Sequence, residues 1–285
     1  MRQPTIHLSE EFVKIKECSI PVSDSLALKI YSDTRPHNGK IAELQKGLIL
    51  IRKDTETIGE GAGFGFPVLI CSDETYFSEK ATVFKSPHKN PTIIHKEFLM
   101  DKIARNQFRN VKMENHKLRT TLRYIAGLYQ RHRSLRNLAL KDLYLKLGIQ
   151  SNFVKVTPAG RIIVTFRINR RIVHVKADFN HLTKKNLQKI FMLNEQGARF
   201  FRKYADPNGI ELIDKQIGAW DTIETEWASL TDMRGVFGFR LRKLESSALR
   251  RGQEFLGDSL DWVGLDYEVN PKNAAFEYDI EILGV

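Results

Sequence analysis

The sequence predicts a mainly β protein: a large antiparallel β-sandwich of supersandwich-like form, with an inserted basic α-helical segment. Three observations carry this. Short apolar runs separated by turn chemistry recur at both ends of the chain. Phe276, Tyr278, Ile280 and Ile282 alternate strictly with Glu277, Asp279 and Glu281, the mark of a strand with one buried and one wet face. The middle third differs in composition, with 22 Lys and Arg against 5 Asp and Glu from Lys96 to Lys189.

The strands begin at Leu26, Leu28 and Ile30, which alternate with Ala27, Lys29 and Tyr31. Gly47 to Arg52 is an apolar run between the turn signals Asn38-Gly39 and Lys53-Asp54. Phe66 to Cys71 is another, followed by Ser72-Asp73-Glu74 and a short Thr75-Tyr76-Phe77 strand. Pro87, His88, Asn90 and Pro91 then break the pattern.

From about Lys96 to Arg133 there is no proline. Leu118, Leu122, Ile125 and Tyr129 recur at helical spacing, and Lys117, Arg119, Arg123, Arg131 and Arg133 fill the other face. Ser134 is placed to cap a further helix through Leu147, with Gly148 as its stop. The helical insertion is therefore expected over about 96–148.

A three-stranded meander follows. Phe153 to Val156 and Arg161 to Ile168 flank the turn Thr157-Pro158-Ala159-Gly160, and Asn169-Arg170 leads into Ile172 to Lys176. Asn194 is placed to cap a short helix over Glu195 to Phe201, which ends before the turn Asp206-Pro207-Asn208-Gly209. Val236 to Leu241 and Trp262 to Tyr267 read as further strands. No internal repeat or long linker appears, so residues 1–285 are expected to form a single β-rich domain, the alternative being a split near 91 or 151.

A hydrophobic content of 42% with 17 Phe is enough for a packed core and argues against disorder. Cys18 and Cys71 are the only cysteines, and two in a chain this long are expected to be reduced thiols. The N-terminus has no apolar run of the secretory kind, and no segment is apolar enough to span a membrane. A cytoplasmic location without membrane attachment is the expectation.

No cofactor or metal motif is present. The eight histidines form no metal-ligand spacing, and no serine or cysteine sits in a recognised nucleophile context. His88, His95 and His174 are the histidines placed to act as an acid or base in a cleft. The segment Ile58 to Pro67 holds four glycines at spacing two, but a strand rather than a helix follows it. That excludes the dinucleotide fingerprint. Glycines on one side of a strand permit a close neighbour, a strand first and a ligand second, and a ligand there would meet Glu60.

Two clusters pair tryptophan with acids. One is Trp220 and Asp221 with Glu224, Glu226 and Trp227; the other is Asp261 and Trp262 with Asp266 and Glu268. An indole offers an apolar platform to the C–H face of a sugar, and carboxylates accept its hydroxyls. Against this stands the ordinary role of tryptophan in a core with acids facing water.

The expected function is that of a cytoplasmic carbohydrate-binding or carbohydrate-modifying β-sandwich protein, with anionic sugars as one candidate class. Its binding residues would be Glu60, Trp220, Asp221, Glu226, Trp227 and Trp262. The middle third, at +17 by the count above, supports an alternative: a non-enzymatic nucleic-acid-binding protein using Arg119, Arg123, Arg131, Arg133 and Arg136. The competing expectation for that charge is a solvated face, or one compensated by the C-terminal third, which carries 11 basic and 17 acidic residues from 190 to 285.

Overall fold

The computed structural model describes residues 12–284 apart from 33–35, 38–39, 42–44, 60, 72–73, 88–90, 109–148, 185 and 257–258. The chain divides into two compact units, Met1–Ile103 with Lys155–Val285, and Ala104–Val154. In the first, all strand pairings are antiparallel.

A ten-stranded sheet has the order Val13–Ile15, Lys80–Lys85, Thr92–Leu99, Arg161–Asn169, Ile172–Asp178, Ala275–Leu283, Gly238–Arg242, Trp227–Thr231, Lys203–Ala205, Glu211–Ile213. An eight-stranded sheet has the order Ile149–Lys155, Lys102–Phe108, Glu74–Phe77, Gly63–Cys71, Leu187–Gly197, Ser259–Val269, Ser247–Leu256, Asp221–Thr222. Aromatic pairs join the two into a sandwich. Phe64 meets Phe239 at 5.0 Å edge-on, Phe66 meets Phe98 at 5.7 Å, and Tyr267 lies 5.2 Å from Phe276 and 4.8 Å from Tyr278. Each of these six-membered rings is buried, so the many phenylalanines of the sequence are spent on the contact between sheets.

A smaller four-stranded sheet, Glu17–Pro21, Leu26–Tyr31, Ile49–Arg52 and Thr55–Glu56, has its own cluster of Tyr31, Ile49, Ile51 and Ile58. Its tightest turn is the predicted Lys53-Asp54, where both residues adopt positive φ (46° and 64°) and the register closes at Arg52 opposite Thr55.

The Ala275–Leu283 strand alternates as predicted, with Phe276, Tyr278, Ile280 and Ile282 all buried. The Arg161–Asn169 and Ile172–Asp178 hairpin is also present, its loop being Arg170-Arg171. The predicted third strand of that meander is not its neighbour. Ile149–Lys155 belongs to the other sheet, and Thr157 to Gly160 carries the chain across, with Gly160 at φ +123° against the backbone of His181 and Leu182.

The predicted basic helix does not start at Lys96. Thr92–Leu99 and Lys102–Phe108 are strands. The reason is visible at Lys96, whose buried ammonium donates to the backbone oxygens of Tyr31 and Lys46, at 2.7 Å each. Thr92, Ile94, Lys96 and Phe98 thus form one inward row, with a period of two. The rest of the predicted helices, from 109 to 148, lies outside the described residues, as do Arg119, Arg123, Arg131, Arg133 and Arg136.

The short helix expected after Asn194 is instead the end of the Leu187–Gly197 strand. The Asn194 side chain does not cap a turn. Its Oδ1 accepts from Gly65 N–H at 3.1 Å and from the Tyr278 hydroxyl at 3.0 Å, partners far away in sequence. Cys18 and Cys71 are free and buried. Among the described residues no helix is long and apolar enough to cross a membrane.

Candidate functional site

The glycine-rich segment meets protein, as the first of its two readings expects. A Cβ at Gly61 would lie 2.9 Å from the Glu195 backbone, and one at Gly65 would lie 2.8 Å from the Phe166 ring. Leu48 and Phe64 are bridged through their backbones. Glu60 lies outside the described residues.

Alternation decides which side chains share a face. Val263, Leu265 and Tyr267 point into the sandwich, so Trp262, Gly264, Asp266 and Glu268 lie on the outer face of the eight-stranded sheet. Register then adds their neighbours. Trp262 is opposite Glu254, Gly264 is opposite both Gly252 and Glu195, and Asp266 is opposite Arg250.

Trp220 is laid across this face from the sheet edge. A 3-10 turn, Asp214–Ile217, precedes it, anchored by buried Ile217 and by Arg202, which grips both Asp214 oxygens at 2.6 Å. Gly218 O then accepts from Gln253 N–H at 3.0 Å, and Asp221 pairs with Arg251. Between these two fastenings the Trp220 indole spans the glycine pair. A Cβ at Gly252 would lie 2.5 Å from Trp220 Cδ2, and one at Gly264 would lie 2.9 Å from its Cη2. Only glycine at both positions leaves room for the ring. The indole Nε1 donates to Glu254 at 3.2 Å, and Trp220 stays partly exposed.

Acids gather on this part of the face. Glu195 accepts from Ala62 N–H at 3.1 Å, and Asp266 accepts from Asn194 N–H at 2.8 Å. Burial pushes the Glu195 carboxyl well up, and the charges of Asp266 and Glu254 push it further, with Lys46 and the Ala62 amide opposing. Burial likewise lifts Asp266 to about 7, with Glu254 adding to the rise and Asn194 N–H and Arg250 opposing it. Asp266 therefore titrates near neutrality, and a protonated carboxyl can donate as well as accept hydrogen bonds.

The sequence-predicted residues therefore separate. Trp220 and Trp262 come together around Glu254, with Asp221 exposed at the rim. Trp227 and Glu226 do not join them. Trp227 belongs to the ten-stranded sheet, with Arg240 stacked 4.5 Å over its ring, and Glu226 is exposed beside it. Glu195 and Glu254 were missed. Glu195 was hidden by the helix expected there, and Glu254 is joined to Trp220 only by register. Gly252 and Gly264, two glycines inside strand patterns, were the available signal of a close approach. Of the histidines, His95 bonds Thr165 at 2.7 Å with its imidazole pushed down by burial, and His174 bonds Asp279 at 2.8 Å. Neither is near the Trp220 face in the register. His88 lies outside the described residues. Among the described residues no group of three or more His, Cys, Asp or Glu could hold a metal ion.

No family model matches the chain, and no curated protein matches it. Solved structures similar to it include the α-N-acetylgalactosaminidase NagBb from Bifidobacterium bifidum, in complex with GalNAc. That likeness has 7% identity and a TM-score of 0.48, and covers 93% of this chain and 36% of that one. The chain thus spans about a third of the length of that enzyme. Another is the Slr1438 protein from Synechocystis, with 7% identity, a TM-score of 0.37 and 100% of both chains covered.

Proposed function

We propose that the protein binds a carbohydrate on the outer face of the eight-stranded sheet. Trp220 is the platform for the apolar face of a sugar ring. Glu254 and Glu195 take its hydroxyls, and Trp262 and Asp221 form the rim. The observation that supports this is the seating of the indole. One side is laid flat across Gly252 and Gly264, its N–H is held by Glu254, and the residue remains partly exposed. A flat ring beside hydrogen-bonding acids is what a sugar's two kinds of surface require.

The local charge selects among sugars. Burial disfavours charge on Glu195 and Asp266, so this face offers hydrogen bonds more than charge, and neutral sugars fit it better than the anionic ones the basic middle third invites. The test is a glycan array carrying neutral and uronic-acid sugars, followed by calorimetry on the best binder. Trp220→Ala is expected to lower affinity at least tenfold, about 1.4 kcal/mol. Trp227→Ala, on the other sheet, is expected to leave it unchanged. Equal affinity of a folded Trp220→Ala protein, or an array with no binder, would remove the reading.

A further inference from the structure

The outer face of the ten-stranded sheet carries a different feature. Four of its cations are matched. Arg161 meets Glu97 at 3.2 Å, Lys176 meets Glu277 at 2.6 Å, Arg240 meets Glu281 at 3.1 Å and Lys203 meets Glu211 at 2.8 Å. Three arginines at the end of one hairpin are not. Arg167, Arg170 and Arg171 are all exposed and have no ion-pair partner among the described residues.

The nearby acids are already engaged. Arg167 stands opposite His174, which is held by Asp279 at 2.8 Å, and Ile172 beyond the loop stands opposite Glu281, which is held by Arg240. The backbone adds a second point. Arg170, the first of the two loop residues, sits at φ 51°, a conformation glycine adopts without strain and a long side chain does not. The loop therefore presents a guanidinium at a position where local geometry favours no side chain.

We propose that this hairpin tip, Arg167 with Arg170 and Arg171, is a contact for the phosphate backbone of a nucleic acid. Guanidinium forks bind phosphate oxygens in pairs, and uncompensated arginines are the ones available to do so. The tip suits phosphate better than a lipid surface. Asn169, Arg170 and Arg171 include no aromatic ring to enter a headgroup layer, and of the two flanking apolar residues Ile168 is buried and Ile172 is 37% exposed. The site lies on the other sheet from Trp220, so it stands or falls independently of the sugar reading.

The test uses the full chain and fluorescein-labelled 20-mer single- and double-stranded oligonucleotides, in anisotropy titrations from about 50 to 200 mM salt. The variant is R167S/R170G/R171S, in which the glycine also relieves the turn; R161S is the control. The wild type and R161S are expected to bind with the same steep salt dependence. The triple variant is expected to lose at least tenfold in affinity at the low salt. Its log–log salt slope should be shallower by about 2–3, the loss of three phosphate contacts. An unchanged slope in the triple variant would overturn the proposal. So would absence of binding by the wild type at the low salt. Binding to phosphatidylserine vesicles without binding to either oligonucleotide would overturn it in favour of a lipid surface.

Discussion

Glu277, on the outer face of the ten-stranded sheet, lies 2.6 Å from Lys176 and 3.6 Å from His174, open to water. Asp266, on the outer face of the eight-stranded sheet, is 2% exposed and accepts from Asn194 N–H at 2.8 Å. Both are acids on outward positions of regular, alternating strands. The Lys176 partner pulls Glu277 below the usual carboxylate range, and burial pushes Asp266 up to about 7. The difference is not in the strand that carries each acid. It lies in the surroundings: water with a cation in one case, packed protein in the other.

The largest test of that comparison disturbs the packed outer face of the eight-stranded sheet. Gly252→Ala places a Cβ 2.6 Å from the Trp220 backbone, which cannot move aside as a side-chain tip can. The variant is expected to lose about 2–3 kcal/mol in urea unfolding, the usual cost of overpacking. Retention of full stability would mean that the indole is not held against the sheet.

Asp266→Asn probes the buried acid itself. A carboxyl whose folded value lies above its unfolded value favours folding below the unfolded value, and that contribution is lost as pH rises through the folded one. For Asp266 the window runs from about 4 to about 7. The asparagine variant, free of this loss, is expected to be more stable than the parent at pH 8 by about 1–3 kcal/mol. The gap should close toward pH 4.5 in thermal melts. A constant gap across that range would place the proton elsewhere.

Glu277→Gln is the smallest effect and has the opposite sign. A lowered carboxyl favours folding above its unfolded value and loses that contribution as pH falls through the folded one. Because the Lys176 pair is exposed, the variant is expected to change stability by no more than about 0.5 kcal/mol at pH 7. It should make no difference near pH 3. A larger loss would mean that the open face is less well solvated than Glu277's exposure indicates.

What was legible in the sequence follows the range of the interactions involved. Phe276 to Ile282 alternates because one strand's burial is a local pattern, and the Lys53-Asp54 turn is local chemistry as well. Lys96 misled because a lysine inside a run reads as a wet position; its partners, Tyr31 O and Lys46 O, are brought to it by the fold. Asn194 misled for the same reason, since a helix cap is its commonest local use and here it bonds Gly65 and Tyr278. Trp220 and Trp262 were found as residues, but their joint attachment to Glu254 needed the register between Ser247–Leu256 and Ser259–Val269. The carboxyl cluster is a property of three strands side by side.

The place of the Ala275–Leu283 strand has a consequence for how the chain emerges from the ribosome. It lies inside the ten-stranded sheet, between Ile172–Asp178 and Gly238–Arg242. Both neighbours are synthesised before it, so each has an unpaired edge of backbone amides and carbonyls until residues 275–283 arrive. A nascent chain halted before Ala275 would expose Val173, Val175 and Leu241, all buried in the finished protein, beside those open edges. Such a chain is a substrate for strand-capturing chaperones and a seed for aggregation, and the vulnerable interval ends only when the last of these strands inserts.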